Sequence, residues 1–218
     1  MTEKTTGLRE RKKERTRQAL SDAAVALFLE HGFDKVSVAD VAAAAEVSKP
    51  TLFRYFPAKE DLALHRFADH QGEAARVVRA RQAGRSPLAA LRAHFHARLD
   101  AYDPVTGLND HPGIRAFIDM LYTTPALLAR LVRYADRDEE LLAEALTETA
   151  GADALTARLA ATQIVRVQQR LALENWRRVS ACGTAGAALA GAHADADQGF
   201  DLLEGGLAGV LPPAPSHQ

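Results

Sequence analysis

Apolar side chains recur along most of this chain at the three- and four-residue spacing that places them on one face of an α-helix. In the first such stretch Leu20, Ala24 and Phe28 share a face, and Gly32 supplies a helix end. Alternation of apolar and polar residues, the pattern of a half-buried strand, is not sustained. The pattern predicts an all-α protein.

Glycine, proline and capping residues divide this pattern into separate helices. Pro57 ends a short helix, Gly84 and Pro87 mark a boundary, and a Gly/Ala stretch over 183–192 is interpreted as a break before the last helix. The predicted helices cover residues 10–30, 38–45, 49–56, 58–81, 87–102, 112–122, 125–150, 153–180 and 194–210.

Segment 37–56 has the layout of a helix-turn-helix. Ser37 with Asp40 forms a capping-box pattern, Ser48 is a second N-cap, and a break at Glu46-Val47 lies between them. The apolar positions expected to pack together are Val38, Val41, Ala42, Ala45, Val47, Leu52 and Phe56. This layout lets the second helix enter a major groove about 12 Å wide. A helical hairpin that only caps a bundle has the same pattern, so both interpretations stay open here.

Residues 15–62 resemble the DNA-binding domain of the TetR family of regulators. The motifs that carry the resemblance are a helix ending of the form AxxLFxExGF, the helix start SVADVA and the block VSKPTLFRYFPAKEDL. The resemblance implies a three-helix DNA-binding domain followed by a helical bundle for ligand binding and dimerisation. Two residues depart from the family pattern: Glu46 and Pro50 stand where glycine is frequent, and Glu46 falls in a turn that favours positive φ.

The same resemblance and the exposed face of a short helix assign a set of DNA-binding residues: Ser37, Ser48, Lys49, Pro50, Thr51, Arg54, Tyr55 and Lys59. Arg54 is expected to read a guanine edge, because a guanidinium matches its O6 and N7. Thr51 is expected to meet a phosphate or a thymine methyl. Tyr55 and Lys59 resemble the family's phosphate-contacting residues. Each of these side chains is alternatively an ordinary solvated residue.

The second half of the chain is predicted to bind an effector among its helices, where bundles place ligands. The candidate residues are Phe95, Phe117, Met120, Tyr122, Gln168, Ala172, Asn175 and Trp176. Few charges fall on these faces, which favours a small apolar or aromatic effector over a sugar or nucleotide. Ordinary core packing explains any one apolar residue equally well, and Gln168 and Asn175 can bond locally or across a dimer axis.

Homodimerisation is predicted for the last two long helices. The apolar arc of helix 153–180 covers about half its circumference, which is more than one packing partner requires. The last helix carries a stripe of Phe200, Leu203, Leu207 and Leu211. The resemblance implies that these two helices of each subunit form a four-helix interface, and a two-fold dimer would bind an inverted repeat.

Net charge is −1 overall, yet residues 1–17 carry seven lysines and arginines against three glutamates. The resulting organisation is a basic N-terminal arm over 1–13, a DNA-binding domain over 14–74, an effector-binding and dimerisation domain over 75–211, and a disordered tail over 212–218. The lone cysteine, Cys182, excludes an intrachain disulfide framework. No apolar run is long enough for a bilayer and no secretory signal is present, so we expect a cytoplasmic protein without membrane contact.

No catalytic motif, cofactor or metal site is predicted. His94 and His96 are two residues apart, which points them to different faces of a helix. The favoured hypothesis is a DNA-binding regulator, a repressor released from its operator by an effector. The alternatives are an all-helical small-molecule-binding protein or enzyme whose N-terminal helices cap the bundle, and a nucleoid protein that binds without sequence preference.

Overall fold

A computed structural model of the chain describes residues 3–68 and 70–206. Every regular element over these residues is helical, which confirms the all-α fold. The α-helices are α1 Glu3–His31, α2 Val38–Ala44, α3 Lys49–Tyr55, α4 Lys59–Ala68, α5 Glu73–Ala80, α6 Pro87–Asp100, α7 Pro112–Thr123, α8 Pro125–Ala150, α9 Ala154–Cys182 and α10 Ala185–Gly205. Two 3₁₀ turns, Phe33–Lys35 and Pro104–Thr106, lie between them.

The chain divides into two compact units. The first comprises Met1–Gln71 with Arg115–Arg133, and the second comprises Gly72–Ile114 with Tyr134–Gln218, as far as these ranges are described. Helices α7 and α8 therefore contribute residues to both units. The functional boundary at residue 74/75 stays a prediction.

The core of the first unit is built by α1 to α4 around side chains that are almost wholly inaccessible: Leu20, Phe28, Val41, Leu52 and Leu62. The hydroxyl of Ser21 is also buried, and it donates a hydrogen bond of 2.8 Å to the carbonyl of Leu62. Because a buried hydroxyl without a partner is costly, this bond fixes α4 against α1.

The core of the second unit includes Leu91, Leu99, Leu142, Ile164 and Phe200. Its helix α10 turns alanines and a glycine toward α9. A Cβ at Gly199 would lie 3.0 Å from Val167 Cγ1 and 3.2 Å from Leu171 Cδ1. Small residues at these positions let the two helices approach closely.

The prediction of one helix over 58–81 is wrong. Helix α4 ends at Ala68 and α5 begins at Glu73. Gly72 precedes α5 with φ 71°, and its N–H donates to the carboxylate of Asp138 at 2.8 Å. Glycine reaches this left-handed conformation without steric cost, whereas the apolar periodicity on both sides of it continues through the break.

The start of the last helix was also predicted wrongly. Helix α10 begins at Ala185 rather than at residue 194, and Thr184 caps it by accepting the Ala187 N–H. The predicted break is present only at Gly183 and Thr184, and residues 185–192 of the Gly/Ala stretch are helical because alanine has the highest helix propensity of all residues. At the other end of the chain, α1 begins at Glu3 rather than at residue 10, so residues 3–13 of the predicted arm are helical.

The turn between α2 and α3 places Glu46 in the left-handed region, with φ 54°. The Val47 N–H donates to the Ala42 carbonyl at 2.9 Å, and the Glu46 N–H donates to the Ala43 carbonyl at 3.1 Å. These two bonds form a Schellman motif, whose left-handed position usually holds glycine. Glu46 therefore occupies a strained position, as the departure from the family pattern predicts.

Glu46→Gly should raise the free energy of unfolding by about 0.5–1 kcal/mol. The left-handed conformation costs a residue with a Cβ roughly 1–2 kcal/mol, and the extra chain entropy that glycine loses offsets part of this gain. Chemical denaturation measures the change. The control Ala43→Gly, at an exposed position of α2, should lower stability by about 0.5–1 kcal/mol. Equal destabilisation by both variants would contradict the strain at Glu46.

Candidate nucleic-acid interface

The N-terminus of α2 is closed by reciprocal bonds between Ser37 and Asp40. The Asp40 N–H donates to Ser37 Oγ at 3.2 Å, and the Ser37 N–H donates to Asp40 Oδ2 at 2.7 Å. These hydrogen bonds hold the pKa of Asp40 below its usual value. The capping box predicted from the sequence is present, and it uses the Ser37 hydroxyl in the helix cap.

The contact between α2 and α3 orients the second helix. Val41, Ala42, Leu52 and Phe56 are buried, while Val38, Ala45 and Val47 are half-buried. The sequence predicts that these seven residues pack together. Since the apolar side of α3 is held in this way, its opposite side is left facing solvent.

The exposed side of α3 carries most of the predicted DNA-binding residues. Lys49, Pro50 and Arg54 are exposed, and Tyr55 is half-buried. The Arg54 guanidinium lies 5.6 Å from the centroid of the Tyr55 ring, a cation–π distance. Lys49 and Arg54 are therefore both exposed on a helix that contains no acidic residue.

The start of α3 is capped by Ser48, whose Oγ accepts the Thr51 N–H at 3.2 Å. The hydroxyls of Ser48 and Thr51 are also 2.8 Å apart and share a hydrogen bond. Both predicted DNA-binding hydroxyls are thus engaged within the helix cap, and Pro50 stands in the first turn as predicted.

Phe53 is a surface residue that the sequence reasoning missed. Its side chain is 43% exposed, although phenylalanine usually lies in the core. It follows Lys49 by four residues, so the two share a helix face. That spacing was a signal in the sequence, and an apolar ring at this place can contact a thymine methyl.

Lys59, predicted to anchor a phosphate, has close partners within the protein. Its ammonium donates a hydrogen bond to the carbonyl of Phe33. It also lies 4.2 Å from the centroid of the Phe33 ring and 5.5 Å from that of Phe28. These contacts attach the start of α4 to the turn before α2, a role that the sequence reasoning did not assign to this lysine.

Comparisons with known proteins agree with this architecture. Residues 20–65 match the family model of bacterial regulatory proteins of the tetR family. The HTH-type transcriptional regulator TcmR of Streptomyces glaucescens is 34% identical over 149 residues, which is 67% of this chain and 66% of that protein. The chain belongs to the TetR family.

Two further comparisons of this TetR-family protein, with a curated relative and with a solved structure, differ in the share of the chain that they cover. The HTH-type transcriptional repressor LfrR of Mycolicibacterium smegmatis is 32% identical over 138 residues, 62% of this chain and 65% of that protein. The match thus spans just under two thirds of the length of both TcmR and LfrR. The solved structure of a SmeT–triclosan complex is 16% identical, covers 94% of this chain and 98% of its own, and has a TM-score of 0.53, which shows the shared fold.

The residues predicted to bind an effector fall in both units of this TetR-family chain. Phe117, Met120 and Tyr122 belong to the first unit, where Phe117 stacks on Phe67 with ring centroids 6.0 Å apart. Burial raises the pKa of Tyr122 to about 12, so its phenol stays protonated. The remaining residues belong to the second unit: Phe95, Gln168, Ala172, Asn175 and Trp176.

Asn175 is engaged within its own unit. The side chain is fully buried, and its Nδ2 donates to the carbonyl of Thr106 at 2.9 Å. The adjacent Gly107 approaches α9 so closely that a Cβ there would lie 2.0 Å from the carbonyl oxygen of Ala172. Of the alternatives left open for Asn175, a local hydrogen bond is the one observed, whereas Gln168 and Trp176 are half-buried.

The predicted dimer stripe is only partly on the surface. Phe200 is fully buried and packs on Phe95 with ring centroids 6.1 Å apart, so its assignment to an interface is wrong. A 3.6-residue stripe cannot distinguish contact with the same chain from contact with a partner, which explains the error. Leu203 is half-buried, while Leu207 and Leu211 lie outside the described residues.

The histidines bond to separate partners. His94 Nε2 lies 3.0 Å from Glu73, and His96 Nδ1 lies 2.6 Å from His193 Nδ1. Over residues 3–68 and 70–206, no group of three or more histidine, cysteine or acidic side chains could hold a metal ion. None of the helices described there is long and apolar enough to cross a membrane.

Proposed function

We propose that this chain is a cytoplasmic, operator-binding transcriptional regulator rather than an enzyme, and that it acts as a repressor. The observation that carries the proposal is the exposed face of α3, where Lys49, Phe53 and Arg54 stand on a helix fixed by buried Leu52. A helix held in this way presents base-reading and phosphate-binding side chains together. The names of the relatives TcmR and LfrR support regulation, and the name of LfrR supports repression.

We propose that the DNA-binding residues predicted from the sequence contact the operator or shape the surface that does, and we add Phe53 to them. Arg54 is the proposed guanine reader and Lys49 the exposed phosphate contact. Ser37, Ser48 and Thr51 contribute through the caps, Pro50 through the shape of the first turn, and Tyr55 through a phosphate bond. Lys59 is proposed to contact a phosphate at the edge of the DNA, for which its ammonium would leave the Phe33 carbonyl and the two rings that it contacts in the free protein.

Two substitutions separate base reading from phosphate binding. Arg54→Ala should relax the preference at one position of each half-site by about 1–3 kcal/mol. Lys49→Gln should weaken binding to all sequences and reduce the slope of log affinity against log salt by about 1, because one phosphate contact is lost. Fluorescence anisotropy with operator variants at several salt concentrations measures both.

Arg133→Gln is the matched control, since Arg133 is an exposed arginine that belongs to α8 rather than to α3. It should leave the affinity and the salt slope unchanged. If both α3 variants bind the operator with the same affinity and base preference as the original protein, α3 is not part of the interface.

We propose that the homodimer contact uses the exposed face of α10 and exposed leucines at the N-terminal end of α9. Ala187, Ala190 and Ala194 are exposed along one face of α10, and Leu155 and Leu159 of α9 are 60% and 56% exposed. Small side chains allow a second helix to pack closely, and large exposed leucines gain from burial. A two-fold contact of this kind matches an inverted-repeat operator.

Ala194→Arg should give monomers that bind the operator weakly, because a charged side chain would separate the two α10 helices. Sedimentation velocity measures the oligomeric state. Ala97→Arg, at an exposed alanine of α6, is the control and should leave the dimer intact. If the Ala194 variant sediments as the original protein does, the dimer uses another surface.

The effector is proposed to be a small apolar or aromatic compound bound among the helices of residues 75–211. The solved neighbour SmeT is described in complex with triclosan. Within the second unit, Gln168, Ala172 and Trp176 are proposed to line the effector site. The buried Phe95 and Asn175 support that lining through their contacts with Phe200 and Thr106.

Trp176 is the single tryptophan of the chain, so its fluorescence reports on one place. An effector should change this emission saturably and release operator DNA over the same concentration range, because linkage makes the two binding events reciprocal. Parallel titrations of emission and of operator anisotropy measure this, with Trp176→Phe as the signal control. Release by polar ligands alone would contradict the proposed effector class.

A further inference from the structure

Helix α4 begins within a small group of polar contacts. The Ala58 N–H donates to Asp61 Oδ2 at 3.2 Å, so this carboxylate caps the helix that contains it. The Lys59 ammonium bonds the Phe33 carbonyl, and the Ser21 hydroxyl bonds the Leu62 carbonyl. Two elements of the DNA-binding region, α1 and the turn before α2, therefore hold the first turn of α4.

Arg130 of α8 makes a further contact with this turn. Its Nε donates to Asp61 Oδ1 at 2.7 Å and its Nη2 donates to Asp61 Oδ2 at 2.9 Å. A two-point contact between a guanidinium and a carboxylate fixes orientation as well as distance. Arg130 thus determines where the capping carboxylate lies.

This ion pair differs in burial from the surface pairs of the same chain. The Asp61 side chain is 7% exposed and that of Arg130 is 27% exposed. By contrast, Arg137 and Glu140 pair on α8 with 53% and 64% exposure. Removing one partner of a buried pair leaves a charge without water or counterion, so the start of α4 and the position of Arg130 are coupled in energy.

We propose that Arg130 is a positioning residue for operator recognition, through which α8 sets the placement of α4 and with it the reading face of α3. The inference rests on the proposed function, since it concerns the same DNA-binding surface. Arg130 lies outside residues 20–65, the segment that matches the family model, and outside the predicted DNA-binding residues. Helix α8 continues from Arg130 into residues that belong to the second unit, where part of the effector lining is proposed.

The test uses three variants of the full chain. Arg130→Lys keeps the charge and loses the two-point geometry. The double variant Asp61→Asn with Arg130→Gln replaces the ion pair by two amides and leaves no buried charge. Arg137→Gln breaks the exposed pair on the same helix and is the matched control.

Affinities for operator and for a scrambled duplex are measured at several salt concentrations, with the folded fraction followed by circular dichroism. Arg130→Lys should weaken operator binding between about two- and thirtyfold, the range of measured long-range couplings. It should leave scrambled-duplex affinity and the salt slope unchanged, because no phosphate contact is lost. The double variant should stay folded but bind the operator less tightly than the original protein, because two amides lack the charge-assisted two-point contact. Arg137→Gln should match the original protein.

A merely structural role would lower the folded fraction and reduce operator and scrambled-duplex binding in proportion. The inference is therefore overturned if the original protein prefers its operator and Arg130→Lys has the same ratio of operator affinity to scrambled-duplex affinity. Failure of the original protein to prefer any operator would overturn the proposed function instead. If Arg130→Lys unfolds, the double variant decides, because a folded double variant with the original ratio of operator affinity to scrambled-duplex affinity contradicts the inference.

Discussion

The apolar contact between α2 and α3 is the constraint from which the rest of the DNA-binding surface follows. Val41, Ala42, Leu52 and Phe56 are buried in it or beside it. Because Ala42 is small, the helices cross closely, and the Schellman motif at Glu46 supplies the change of direction. With one side of α3 fixed, its opposite side has to face solvent, and that side carries the lysine, the phenylalanine and the arginine of the proposed interface.

The start of α4, which follows α3 after three residues, is held by polar contacts with α1 and with the turn before α2. Polar groups that a core would normally exclude hold this helix start: the Ser21 hydroxyl, the Lys59 ammonium and the Asp61 carboxylate. Each is bonded to a specific partner, so a shift of the helix would leave a buried polar group unpaired. Such contacts favour one arrangement over its neighbours, which suits a surface that has to match the spacing of DNA grooves.

The sequence predicted well the features that local chemistry determines. Ser37 with Asp40, Ser48 and the apolar positions between them gave the helix-turn-helix with errors of a residue or two, because caps and turns depend on residues a few positions apart. It failed where alanine and glycine carry little signal. The start of α10 was misplaced, and the break at Gly72 was missed because the apolar periodicity continues through it.

Long-range partners were beyond such reasoning. Lys59 meets a carbonyl 26 residues earlier, and Asp61 meets an arginine 69 residues later, and neither pairing leaves a periodic pattern. Phe200 does belong to a periodic pattern, but a regular stripe can pack either on a partner subunit or on the core of its own chain. The structure places Phe200 in the core of its own chain. A stripe of apolar residues shows which face of a helix is buried, while only the packed structure shows which element covers that face.

The central claim is that α3 reads DNA sequence as part of a two-fold dimer. Selection of random duplexes by the purified chain, followed by sequencing of the bound fraction, tests it most directly. The account predicts an enriched inverted repeat whose half-sites are centred roughly 34–36 Å apart or a multiple of this, one or more turns of the double helix. Enrichment of no motif, or of a single asymmetric site that Arg54→Ala selects equally well, would contradict it.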